Sequence, residues 1–344
     1  MVRVVPICGR NSAIYHEFMF IMEESLDCLY LKGGKMIMNI LKEDHRKNFS
    51  PLLESTKKTM REVNSSAASL IVIQNDKIVL EWYDGSHHFK QGARKVDLES
   101  MFNIYSTRKT YIGMATAIAV VEADIPLETP VHRFVHDMRK EELGDITFRD
   151  LATKTGAKYF GERKIEREEL ANKAIKTITG MNIAELISSK VLIPLHLNQT
   201  DWVTSPYQNL VCDFQADGSY ASVRIESNEG HERNLYTSSM DLAIWGYIHL
   251  KRGYVNAMRV LPEKVFELYT KLQSEEDSNK RIFGWYHQEQ GYYATGAAGC
   301  HCVVFPNHNA VAVRMLNKYT DNYKEDQLFF NNTLLHCIKN SLVI

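Results

Sequence analysis

The 344-residue chain predicts a mixed α/β (α+β) fold. One antiparallel sheet is built from both chain ends and flanked by helices, with a mostly helical region inserted between its two halves. Three observations predict this. A β-hairpin pattern stands early, at SLIVIQNDKIVLEWYDG. Helical spacing dominates from about 105 to 275. After the polar stretch QSEEDSNK, short β-rich runs follow one another to a last amphipathic segment. An isolated hairpin is marginal in water, so the early strands need the late ones as neighbours.

Residues 1–45 are irregular and read as an N-terminal extension, leaving 46–344 as the main domain. A helix is expected near 50–64, with Ser50 as its cap and Pro51 in its first turn. The hairpin turns at Asn75-Asp76-Lys77, which has turn chemistry. The sheet portion then comprises about 46–100 and 280–344, and the helical portion 101–279. In TYIGMATAIAVVEA, residues Ile112, Ala115, Ile118 and Val121 recur at helical spacing. Further helices are expected in VHDMRKEELGDITFRDLATKTGA and EELANKAIKTITGMNIAELISSKVL. TSSMDLAIWGYIHLKRG forms another, capped by Ser238 or Ser239, and so does LPEKVFELYTKL with Pro262 near its start. IFGWYHQ, GYYATG, HCVVF and NAVAVRML read as successive strands, and KEDQLFFNNTLLHCIKNSLV as the closing helix.

The chemistry concentrates at Ser106-Thr107-Arg108-Lys109. Residues i and i+3 share one helix face, so the Lys109 amine can reach the Ser106 oxygen. A serine hydroxyl becomes a useful nucleophile only when an adjacent base takes its proton. S-x-x-K also occurs at Ser55-Thr56-Lys57-Lys58, but that copy lies in a charged run suited to a solvated helix face. Ser106 instead sits where an extended run meets an apolar helix, beside free N–H groups and the positive end of the helix dipole. The same position equally suits a serine that merely caps the helix. Arg108 is expected to point elsewhere on the helix.

Composition narrows the class. The chain is 44% apolar and 24% charged with net charge −1, a soluble globular balance that offers no basic surface for nucleic acid. No run is long and apolar enough to span a membrane, and the N-terminus lacks a secretory pattern, so a cytoplasmic chain is expected. The six cysteines are scattered. Cys300-His301-Cys302 invites a metal reading, yet on a strand the two thiols share one face and His301 points to the other. Structural thiols, and no metal, are expected.

Taken together, the order of these segments resembles the serine β-lactamase and penicillin-binding-protein superfamily, in its class C-like esterase and peptidase branch. SLIVIQNDKIVLEWYDG resembles the opening hairpin of that family, and MFNIYSTRKTYIGMATAIAVVEADIPLETPV its nucleophile helix. ITFRDLATKTGA is similar to the stretch usually ending in Thr-Ser-Gly. ITGMNIAELISSKVLIPLHLNQTDW and NLYTSSMDLAIWGYIHLKRG are similar to its later helical blocks, and GYYATGAAGCHCVVFP to the strand beside the active site. The resemblance spans about 50–340.

It implies a serine hydrolase acting on a small-molecule or peptide-like ester or amide, with no cofactor. Ser106 would be acylated and Lys109 would be its base. The oxyanion would meet N–H groups of Ser106 and of the Thr295-Gly296-Ala297 segment, with Ala297 as the donor and Gly296 giving the substrate access to the strand. The chain departs from the family pattern twice. Ala294 stands where most relatives carry Lys or His, which argues against carboxylate recognition and β-lactam turnover. The Tyr-x-Asn or Tyr-x-Ser element is missing from its place, and Tyr159 in KYFGER is the nearest tyrosine. Tyr159 is either a relocated acid/base group or a surface aromatic. The alternative function is a binding protein that keeps the pocket and has lost turnover.

Overall fold

Apolar strands covered on both faces build the middle of the main sheet. In the computed structural model the described residues are 40–341, except 155–156, 161, 216, 218, 220–222, 256–257 and 277–280. The expected extension 1–45 therefore falls mostly outside them, as does the Thr155-Gly156 part of the Thr-Ser-Gly-like stretch. Residues 38–344 form one compact unit.

The chain enters the sheet at β1 (Leu41–Lys42), which pairs in parallel with Lys77 and Ile78, and Ile40 beside it is buried. The sheet thus takes in residues earlier than 46. Helix α1 (Ser50–Glu62) follows. Pro51 lies in its first turn, but Ser50 is its first helical residue rather than its cap and spends its hydroxyl on the Lys47 carbonyl at 2.9 Å. β2 (Ala67–Gln74) and β3 (Lys77–Gly85) form the hairpin. Asn75 and Asp76 both take positive φ, at 50° and 64°, the backbone that matches the twist of a two-residue hairpin loop.

β4 (Met101–Asn103) leads through a 3₁₀ turn, Tyr105–Arg108, into α2 (Lys109–Glu122). A hairpin of β5 (Ala157–Phe160) and β6 (Arg163–Glu166) feeds α3 (Arg167–Thr179). β7 (Thr200–Trp202) and β8 (Leu235–Ser238) join β4 in a small sheet, and β8 runs into α4 (Ser239–Leu250). Ser238 caps α4, accepting the Asp241 N–H at 3.1 Å. After α5 (Glu263–Glu275) come β9 (Arg281–Ile282), β10 (Trp285–Gln288), β11 (Gly291–Gly296), β12 (Cys300–Phe305) and β13 (Ala310–Leu316). Helix α6 (Tyr323–Ser341) closes the fold.

The main sheet has the order β1-β3-β2-β13-β12-β11-β10-β9. Its two halves, one from each side of the inserted region, meet where β2 pairs with β13, from Gln74 opposite Ala310 to Ala68 opposite Leu316. Both faces are covered, so β2 and β13 are buried throughout and read as continuous apolar runs. Leu70 and Val72 face α1 and α6, with Phe305, Phe330 and Leu334. Ile71 and Ile73 face the larger core that contains Trp245 of α4. α2 is buried continuously from Thr110 to Val120, as expected of a helix that is apolar all round. The Ser106 segment is therefore held between the sheet and the helical region, at the seam between sheet and insertion.

Candidate active site

Ser106 sits in the 3₁₀ turn between β4 and α2, and its surroundings fix the turn from several sides. Tyr105 has φ of 48°, an uncommon value for a non-glycine residue and one that recurs at functional turns. The Tyr105 N–H donates to Asn103 Oδ1 at 2.9 Å. The Thr107 hydroxyl donates to the Cys300 carbonyl of β12 at 3.0 Å. The Trp245 indole donates to Thr110 Oγ1 at 2.9 Å, and Thr110 donates to the Thr107 carbonyl. Ser106 itself is half-buried, and among the described residues no hydrogen bond restrains its hydroxyl.

Lys109 opens α2 one turn later, as the spacing requires. Its Nζ lies 3.2 Å from Glu168 Oε1, and both side chains are mostly buried, at 19% and 13% exposure. Burial pushes the Lys109 amine below its ordinary pKa. Glu168 works against that shift, while the cations of Arg281 and Arg108 add to it. For Glu168, burial alone would raise the carboxyl, but Lys109 and Arg108 outweigh it and hold it below the usual carboxylate value. Glu168 Oε2 is buried with no hydrogen-bond partner among the described residues. Beside Lys109 the carboxylate thus keeps one buried oxygen with accepting capacity to spare.

Among the described residues Arg108 makes no hydrogen bond to the Ser106 hydroxyl; it donates from Nε to the Glu232 carbonyl at 2.7 Å and from Nη1 to the Tyr105 carbonyl at 3.3 Å. It is nonetheless close enough to act on both members of the Lys109–Glu168 pair, which the sequence reading did not foresee. Its own guanidinium is pushed down to about 10 by burial.

β11 forms the opposite wall. A Cβ on Gly296 would stand 2.3 Å from the Ile104 carbonyl oxygen and 3.1 Å from Tyr105 Cβ. Only glycine lets the strand come this close to the Ser106 turn. The space that a side chain at Gly296 would need is taken by the backbone just before Ser106. Ala297 follows at the strand end, and its carbonyl accepts the Thr320 N–H at 2.9 Å. Thr295 is buried, with its hydroxyl 3.0 Å from His301 Nδ1. Ala294 is buried in the apolar core, so this strand offers no cation there.

Tyr159 lies on β5 across from Lys164, and is 66% exposed. Among the described residues no hydrogen bond joins it to Ser106 or Lys109. Glu168 is the group that sequence reasoning missed. The hairpin containing Tyr159 ends at Glu166, and the chain turns at once into α3, delivering Glu168 to Lys109. An acidic residue in a first helical turn is so ordinary that nothing in REEL marks it. A buried carboxylate, Asp213, also stands behind the turn, 3.4 Å from Tyr236 Oη. Burial raises its pKa to about 7, and Asn103 and Tyr105 hydrogen-bond to it.

Cys300 and Cys302 point into the core on the α4 side, with Cys302 Sγ 4.0 Å from the Leu242 carbonyl. His301 points to the α6 side, where its Nε2 is 2.9 Å from Asp326 Oδ2. Among the described residues no group of three or more His, Cys, Asp or Glu is arranged to hold a metal ion.

The Beta-lactamase family model matches residues 53–332. The chain belongs to the β-lactamase family. An uncharacterized protein of Alkalihalophilus pseudofirmus is 30% identical over 326 residues, covering 84% of this chain and 96% of that one. The fold is thus that of the serine β-lactamase and penicillin-binding-protein superfamily, a serine-hydrolase scaffold suited to small-molecule substrates. Among the described residues no helix is long and apolar enough to cross a membrane.

Proposed function

We propose that this β-lactamase-family chain is a serine hydrolase that cleaves an ester or amide through an acyl-Ser106 intermediate. The observation that carries this reading is the ion pair of Lys109 and Glu168, set one helical turn from an unrestrained Ser106 hydroxyl. Lys109 passes a proton to Glu168 and takes the Ser106 proton in its place. The pair is then left as an ammonium beside a neutral carboxyl. Ser106 Oγ bonds to the carbonyl carbon, and the oxyanion is held by the N–H groups of Ser106 and Ala297. Such a donor contributes about 10²–10³ in rate. Collapse breaks the bond to the alcohol or amine, which leaves with the stored proton. Water then repeats the sequence against the acyl-serine, returning the acid and free Ser106. Glu168 here fills the role that the missing tyrosine leaves open, while Tyr159 is retained only as a surface group.

The buried Ala294 and the lack of a cation on β11 support simple esters as better substrates than β-lactams bearing a carboxylate. A higher kcat/KM for a penicillin than for a p-nitrophenyl ester would contradict this.

The decisive experiment is intact-mass labelling with a fluorophosphonate and with a penicillin, on wild type and Ser106→Ala. One adduct per chain, lost in the variant, supports the hydrolase. No adduct in a folded protein overturns it. The second reading, a binding protein without turnover, is favoured by the exposure of Tyr159. Hydrolysis abolished by Ser106→Ala rules that reading out.

A further inference from the structure

The Cys300-His301-Cys302 triplet has no part in the chemistry above, yet its histidine is the centre of a largely buried polar array. His301 on β12 lies opposite Thr295 on one side and opposite Arg314 of β13 on the other. Its Nδ1 meets Thr295 Oγ1 at 3.0 Å, and its Nε2 meets Asp326 Oδ2 at 2.9 Å. Asp326 belongs to the first turn of α6 and is also paired with Arg314, whose Nη1 donates to Oδ1 at 3.1 Å. Arg314 reaches the Gly299 carbonyl as well, from Nε at 3.3 Å. The ring of Phe330 covers the array from α6.

The hydrogen-bond roles follow from charge. Asp326 can only accept, so Nε2 carries the ring proton and Nδ1 accepts from the Thr295 hydroxyl. Burial holds His301 down to about 4, so this neutral tautomer persists at working pH. Burial would raise Asp326, but Arg314 and His301 more than offset it and keep the group a carboxylate.

Buried ion pairs rarely add stability over an apolar set of the same shape, whereas fixing a unique arrangement is a use they do serve. Here the fixed elements flank one residue. Thr295 is gripped by His301, Gly299 by Arg314, and Gly299 closes back on the Gly296 carbonyl at 2.9 Å. Ala297 lies between these clamps, and Thr320, on the approach to α6, holds its carbonyl.

We infer that His301, Asp326 and Arg314 are positioning residues that hold the Ala297 N–H at the height of the oxyanion formed on Ser106. Thr295 is the link through which they act. It is 2% exposed, so its hydroxyl serves the strand and not the substrate. The inference rests on the acyl-serine reading and adds to it the means by which the donor is kept in register.

Thr295→Val and His301→Asn test it, with kcat and KM measured on a p-nitrophenyl ester and Ki on an arylboronic acid. The boronate forms a tetrahedral adduct with an active serine and places an oxygen at the oxyanion position, so it reports donor placement separately from substrate binding. Both kcat and boronate affinity are expected to fall together by roughly 10- to 100-fold while KM stays within about threefold, since a misplaced group of about 1 Å costs on that scale. Unchanged kcat and Ki in Thr295→Val, or a kcat loss without a boronate loss, overturns the inference. If His301→Asn fails to fold, Thr295→Val decides alone, because it keeps the shape and removes only the hydroxyl. Wild type that takes no fluorophosphonate label sinks the acyl-serine reading and this inference with it. Labelled wild type with unaffected variants sinks only the inference.

Discussion

Glu168 is where a single atom decides most. Its Oε1 pairs with Lys109 and its Oε2 is unpartnered, so Glu168→Gln removes the acceptor while keeping the shape. kcat/KM for an ester is expected to fall by about 10²-fold, the lower range of general-base contributions. The acidic limb of its pH profile should move up. In the wild type the limb marks protonation of the Glu168 carboxylate, which Lys109 and Arg108 hold below its ordinary value, whereas in the variant the Lys109 amine itself must lose its proton before it can act. A limb that stays in place would separate Glu168 from the proton path. Asp213 makes a different statement. Its folded pKa is raised by burial to about 7, above its ordinary value of 3.8. Between those values the unfolded chain gives up its proton while the folded chain keeps it. Stability therefore declines as pH rises through this window and levels off above it. Asp213→Asn should raise the unfolding free energy more at about pH 8 than at about pH 5, the difference being on the order of 1 kcal/mol or more. Equal shifts at both pH values would mean that Asp213 does not titrate in this window.

At the scale of the element, the contact of β11 with the Ser106 turn sets the site. Gly296→Ala would drive a methyl into the Ile104 carbonyl, so strand and turn must separate. Ser106 labelling by a fluorophosphonate is expected to slow by at least about 10²-fold, with a stability loss of roughly 1–3 kcal/mol typical of overpacking. Retained labelling at full rate would show that the site tolerates a wider wall. Much of this element was readable in the sequence. ATGA stood out as a strand end, and S-x-x-K at the start of an apolar helix was visible as spacing. The hairpin turn at Asn75-Asp76 and the Ser238 cap were readable for the same reason: their signals are local. What escaped were partners brought together over long separations. Glu168 reaches Lys109 only because a hairpin over 157–166 turns into α3. His301 joins Asp326 only because α6 folds back over the sheet. The close approach of the Ile104 carbonyl to Gly296 escaped for the same reason, since a glycine does not say in sequence which protein backbone approaches it.

The whole molecule has a split construction, and its seam is testable. β1–β3 precede the insertion and Ser106 lies near its start, while β9–β13 with Ala297 and α6 follow it. The first part therefore carries Ser106, the proposed nucleophile, without the β11 wall, and its β2 lacks the neighbour β13. The second part has the wall and no nucleophile. A chain cut between Glu276 and Arg281 makes these two fragments. Alone, the N-terminal fragment leaves the apolar edge of β2 unpaired, and Leu70 and Val72 lose Phe305, Phe330 and Leu334 as neighbours. An edge of this kind favours aggregation over function. Co-expression is expected to restore one fluorophosphonate adduct per complex on Ser106. The N-terminal fragment by itself should remain unlabelled even where it stays soluble. Because the oxyanion donor arrives with the second fragment, the labelling rate should follow its concentration until the two are equal. Full-rate labelling of the N-terminal fragment alone would place the whole acylation machinery within the turn and helical region, and would reduce β11 from part of the site to part of its support.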